Sequence, residues 1–112
     1  MDRIGAAFAT DAEVDWVVSA PGVRRKVLCH DDGVMLVRFA FEAGAVGAEH
    51  SHPHKQVSVI ESGVFDVTIA GKTKRLKTGD SYLVAPSLLH GAVALEAGVI
   101  VDVFSPLRED FL

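Results

Sequence analysis

Several features are scarce in this chain. Cys29 is the single cysteine among 112 residues, so no intrachain disulfide can form, which excludes a secreted disulfide scaffold. No stretch approaches the ~20 consecutive apolar residues that a membrane-spanning helix needs. The segment Met1 to Trp16 is interrupted by Asp2, Arg3, Asp11, Glu13 and Asp15. It lacks the unbroken apolar core of a secretion signal. Basic charge is also short: 11 Lys and Arg against 15 Asp and Glu leave a net charge of −4. A nucleic-acid binder normally carries the opposite balance, as a patch that neutralises phosphates. The clusters Arg24-Arg25-Lys26 and Lys72 to Arg75 are short and read as solvated strand faces. No window shows a helical period, beyond a turn or two over Gly5 to Trp16. The expectation is a soluble, cytoplasmic protein with neither nucleic acid nor membrane as partner.

What is present is β-forming. Hydrophobic residues make up 49% of the chain, the globular average, and the length supports one domain burying roughly two-thirds of its unfolded surface. Runs rich in Val, Ile, Leu and Phe predict strands at Val23 to His30, Val34 to Phe41, Val57 to Glu61, Val64 to Ala70, Ser81 to Ala85, His90 to Leu95 and Val99 to Phe104. Turn formers separate them, including Asp31-Asp32-Gly33, Ser62-Gly63, Gly79-Asp80 and Ala97-Gly98. Short strands at this spacing predict a single all-β, antiparallel sandwich or barrel.

Four of the five histidines attract attention: His50, His52, His54 and His90. In an extended chain alternate side chains share a face, so His50 and His52 point the same way and can hold one ion between them. Imidazole suits Ni, Zn, Fe or Cu better than the hard oxygen-seeking ions. His54 and Gln56 would join that face only in a regular strand. Pro53 bends the chain, which turns one of the pair away.

The spacing Gly44, His50, His52, Gln56, Gly63 resembles the first cupin motif, with Gln56 where that family usually has glutamate. The stretch Gly79, Asp80, Pro86, His90 resembles the second, with the proline one place late and Ser87 in place of an inner glycine. The resemblance implies a cupin double-stranded β-helix, a small jelly-roll barrel. It also implies one divalent transition metal (Ni, Zn, Fe, Mn or Co) held by His50, His52, Gln56 and His90. Three imidazoles and an amide leave the ion's +2 charge uncompensated, which favours polarising an oxygen over redox turnover.

The last expected strand carries a carboxylate among apolar neighbours. Ile100, Asp102 and Phe104 share one face, and Val99, Val101 and Val103 the other. A desolvated Asp102 is either paired, with Arg108 as the nearest cation in sequence, or functional as an acid/base. The valine face is either core or an interface, and a homodimer is expected. The tail from Asp102 through Phe104, Arg108 and Phe111, with the His50 to Gln56 segment, resembles the pectin-degradation cupins (the KdgF type). The match runs from about Val23 to the C-terminus. That resemblance implies metal-dependent ring opening of 4,5-unsaturated monouronates from pectin or alginate to the linear ketonised form, the alternatives being a sugar-acid-binding sensor module without catalysis or another cupin isomerase or dioxygenase. Asp102, Phe104 and Arg108 would then be the catalytic residues. The expected organisation is a single domain: an N-terminal segment (1–22), a barrel (23–104) and a tail (105–112). Trp16 and Tyr82 read as packing residues and Cys29 as a small buried hydrophobe.

Overall fold

Eight strands form, every pairing between them antiparallel: β1 (Val17–Ala20), β2 (Val23–His30), β3 (Met35–Phe41), β4 (Val46–His50), β5 (Lys55–Ile69), β6 (Lys72–Lys77), β7 (Ser81–Val84) and β8 (His90–Ser105). The structure is a computed structural model describing residues 7–112. The helical turn expected over Gly5 to Trp16 lies outside the described residues at Gly5 and Ala6. Within them it is a single 3₁₀ turn, Asp11–Glu13.

β5 and β8 organise the molecule. They pair along almost their whole length and bend together, so each belongs to two layers. The first half of β5 and the last half of β8 lie in one layer with β1, β2, β3 and β7. Their other halves lie with β4 and β6 in the second. Val23, Phe41, Ile60 and Ile100 from one layer pack on Phe65, Val67, Leu76 and Ala94 from the other. This is the expected double-stranded β-helix.

Sequence reading divided each long strand in two, with turns at Ser62-Gly63 and Ala97-Gly98. The structure corrects this: both places are bends inside continuous strands. Gly63 has φ +89, and a Cβ there would meet the Ala97 carbonyl at 2.8 Å. A Cβ on Gly98 would meet the Ser62 carbonyl at 2.1 Å. The two backbones touch where the layers diverge, so neither position has space for a side chain. The bend also shifts phase. Inward residues of β5 are Gln56, Ser58 and Ile60 before it, then Phe65 and Val67 after it, as a bulge requires.

Two strands were not anticipated. β1 adds an edge beyond Val23, and β4 sits inside the His-rich segment. β6 keeps Lys72, Lys74 and Arg75 exposed, in accord with a solvated face. Lys26 departs from that reading. It is buried, with its ammonium 2.9 Å from the Asp11 carbonyl and 4.7 Å from the Trp16 ring. Cys29 is half-buried, not enclosed. Val99 and Val101 are half-buried and Val103 is exposed, in register with exposed Val57 and Val59. The valine face is therefore the outer surface of its layer, not core.

Candidate metal centre and active-site cavity

Strand register assembles the site. His50 closes β4 and His90 opens β8, and the two are cross-strand partners. His52 follows in the loop, and Gln56 enters at the start of β5. His50, His52 and His90 bring ring nitrogens within 4.8 Å of one another. The Gln56 Oε1 lies 3.1 Å from Nε2 of His52 and 3.1 Å from Nε2 of His90. Pro53 bends the chain as expected, and His54 is the residue turned away. Its Nε2 faces the Leu107 carbonyl at 3.1 Å.

The donor chemistry of this cluster fits a cation. Each of these three histidines turns Nδ1 to a backbone carbonyl: His50 to Ala48 at 2.9 Å, His52 to His54 at 3.1 Å, His90 to Leu88 at 2.9 Å. A carbonyl accepts, so Nδ1 carries the proton and Nε2 is left with a bare lone pair. Three such nitrogens and an amide oxygen converge with no proton between them. Acceptors 3.1 Å apart repel unless a positive charge lies among them. Burial lowers the pKa values of His52 and His90, reinforced in both by the Arg108 charge. Both rings are thereby kept neutral, as ligation requires.

A cavity of about 360 Å³ opens from the cluster between the layers. His50, Gln56, His90, Tyr82, Asp102, Phe104 and Arg108 line it, with Phe39, Phe41 and Ile100 forming an apolar end. Asp102 is buried, and desolvation pushes its carboxyl up to about 7 against the opposing effects of Ser58, Gln56 and Arg108. Its hydrogen bond is not with Arg108: Ser58 Oγ donates to Asp102 Oδ1. Arg108 instead forks onto Asp110, Nε to Oδ1 at 3.1 Å and Nη2 to Oδ2 at 2.8 Å. Its guanidinium stacks 4.2 Å from the Phe111 ring and 5.2 Å from that of Phe104. The tail thus returns Arg108 to the cavity. Tyr82 packs against the core and lines the cavity, while half-exposed Trp16 sits between Arg24 and Lys26.

Two residues escaped the sequence reading. Ser58 is 1% exposed and bonded to both Gln56 and Asp102. Alternation from Gln56 places it inward, which was the available signal. Phe111 was seen only as part of a motif. Its contacts with Arg25, Phe39 and Phe104 depend on a tail path that spacing does not encode.

Known proteins resemble this arrangement closely. A cupin domain signature matches residues 37–104. The pectin degradation protein KdgF of Dickeya dadantii (strain 3937) is 41% identical over 107 residues, covering 94% of this chain and 97% of that protein. The solved structure of KdgF from a Halomonas species superposes with a TM-score of 0.90 at 39% identity, covering 94% of this chain and 97% of the other. An RmlC-like cupin from Shewanella frigidimarina NCIMB 400 gives 0.91 at 38% identity, over 94% and 95% of the two chains. Fold, site and near-full-length likeness agree, and the chain belongs to the cupin family, within the group of the pectin degradation protein KdgF.

Proposed function

We propose that this protein converts 4,5-unsaturated monouronates, released in pectin or alginate breakdown, to the linear ketonised form. The observation that carries the reading is one cavity shared by a cation-seeking ligand cluster, a buried carboxyl near pKa 7 and a clamped guanidinium. Membership in the group of a pectin degradation protein supports the substrate class.

The substrate carries a C4=C5 double bond, a ring oxygen on C5, a carboxylate at C6 and a hemiacetal hydroxyl at C1. Asp102, as carboxylate, takes the C1 hydroxyl proton. The freed electron pair forms the C1 carbonyl, and the bond from C1 to the ring oxygen breaks. An enolate is left on that oxygen, and Asp102 returns the proton to C4. A carboxyl near pKa 7 serves both halves of this exchange. What a divalent transition ion held by His50, His52, Gln56 and His90 contributes when bound is Lewis acidity, and the neutral ligands leave its charge undiminished. Arg108 receives the substrate carboxylate, since a guanidinium fork suits that group. Phe104 walls the ring and keeps water out.

The test is ultraviolet absorbance of a 4,5-unsaturated galacturonate, whose conjugated double bond absorbs while the product's does not. Decay faster than the spontaneous background, abolished by chelator and restored by metal, is expected. At saturating metal Asp102→Ala should slow it about 10²- to 10⁴-fold. No acceleration by the metal-loaded protein would overturn the reaction. A folded Asp102→Ala with parental turnover would overturn the role of Asp102.

A further inference from the structure

We propose that Ser58 is a positioning residue: through it the Asp102 carboxylate decides which end of the Gln56 amide faces the histidines. The inference deepens the metal-site reading above and rests on it. Its basis is a count of protons. Ser58 is the cross-strand partner of Asp102 on one side and of Tyr82 on the other, so register alone seats its hydroxyl between them. A serine hydroxyl has one proton, and while Asp102 is a carboxylate that proton goes to Asp102 Oδ1. With that proton committed, Ser58 Oγ can only accept from its other neighbours. Gln56 meets it at 2.9 Å and must present its NH₂ group. The opposite end of the amide, Oε1, is thereby turned to His52 and His90.

With Asp102 ionised, the state in which the tests below are made (pH well above 7), the chain runs one way, from Gln56 to Ser58 to Asp102. Reversing it would point two N–H groups at the ligand cluster, where they would occupy the imidazole lone pairs and exclude a cation. Glutamate at position 56 would also break it, since Ser58 would then face two carboxylates with a single proton. The one-way chain therefore supplies a physical reason for an amide at position 56. It also links the proposed proton carrier to the ligand set without making Asp102 a ligand.

Two readouts test this without substrate. Calorimetric titration with Ni(II) should show Ser58→Ala binding about 10- to 100-fold more weakly than the parent, the usual range when a group orienting a ligand is removed. Asp102→Ala, which removes the acceptor, should weaken binding similarly, and Ser58→Thr, which keeps the hydroxyl, should restore it. The double variant Ser58→Ala/Asp102→Ala should lose no more than either single one, because both break one chain. The second readout is the Gln56 side-chain amide signal in nitrogen–proton NMR of the metal-free protein, assigned by its loss in Gln56→Glu. It should be protected from exchange in the parent and unprotected in both single variants.

Parental affinity in folded Ser58→Ala, additive losses in the double variant, or an unchanged amide signal would each overturn the proposal. If Ser58→Ala fails to fold, Asp102→Ala and Ser58→Thr decide it by the same criteria. A parent that binds nickel and shows the protected amide but leaves unsaturated uronate untouched would sink the proposed reaction while leaving this chain standing.

Discussion

At the scale of single residues, Gln56 carries the most chemistry. A carboxylate there would cancel part of an ion's charge, while the amide would cancel none, which in the proposed reaction would keep Lewis acidity toward the developing enolate. Gln56→Glu is accordingly expected to bind metal at least as tightly as the parent and to turn over about tenfold more slowly, a loss of about 1.4 kcal/mol in transition-state stabilisation. Calorimetry and the ultraviolet assay on one preparation check both halves, and a faster Gln56→Glu enzyme would overturn the argument. The shared face of His50 and His52 was legible from alternation in an extended segment, whereas Gln56 and His90 were expected only through the resemblance to the cupin motifs. Asp102 stood out by alternation as a carboxylate among apolar neighbours, and Phe104 shares its face, but their catalytic roles came only with the resemblance. The partners of Asp102 were not legible. Ser58 lies 44 residues away in sequence, and the register of β5 against β8 appears in neither strand alone. Arg108, the nearest cation by sequence, was the natural partner to consider, yet Asp110 two residues further on holds it. Ser87 shows the converse. The sequence flagged it as standing where the family has glycine, and its φ of +67 supplies the reason for that glycine.

At the scale of elements, the tail after β8 is a clamp. The 3₁₀ turn Glu109–Phe111 brings Asp110 against the edge of Arg108 and Phe111 against its face. Nε and Nη2 are thereby committed, and Nη1 has no protein partner among the described hydrogen bonds. Arg108 donates to Asp110 and holds its carboxyl below the usual carboxylate range. The clamp therefore persists at neutral pH and is lost only as pH falls through that depressed value. Asp110 itself is mostly exposed, so Asp110→Ala should change stability by no more than about 0.5 kcal/mol. On the proposed role of Arg108, its effect would fall on substrate binding. KM should rise about tenfold with kcat within about threefold, the pattern of an interaction shared by ground and transition states. A fall in kcat at unchanged KM would overturn the assignment. The same scale explains the mistaken strand count. Ser62-Gly63 and Ala97-Gly98 were located correctly as breaks, but a bend and a hairpin turn share their local chemistry. Only the contact between Gly63 and Gly98 across two strands distinguishes them.

At the scale of the whole molecule, the ligand cluster closes one end of the barrel. His50 comes from β4, Gln56 from β5 and His90 from β8, so an ion there would tie together strands of both layers. Unfolding separates these ligands, so binding free energy becomes folding free energy. At a free metal concentration 100 times Kd the stabilisation is about 2.7 kcal/mol. For a domain of this length that corresponds to a rise of about 10 °C in Tm, at about 4 °C per kcal/mol. Scanning calorimetry with nickel and with excess chelator measures it directly. His50→Ala is the informative control, because His50 is exposed and its removal leaves little cavity. That variant should melt within a few degrees of the metal-free parent while losing most of the metal-dependent shift. If Ni, Zn, Fe, Mn and Co all leave the parental Tm unmoved, the convergent lone pairs do not hold an ion. If His50→Ala keeps the full shift, the ion lies elsewhere in the barrel.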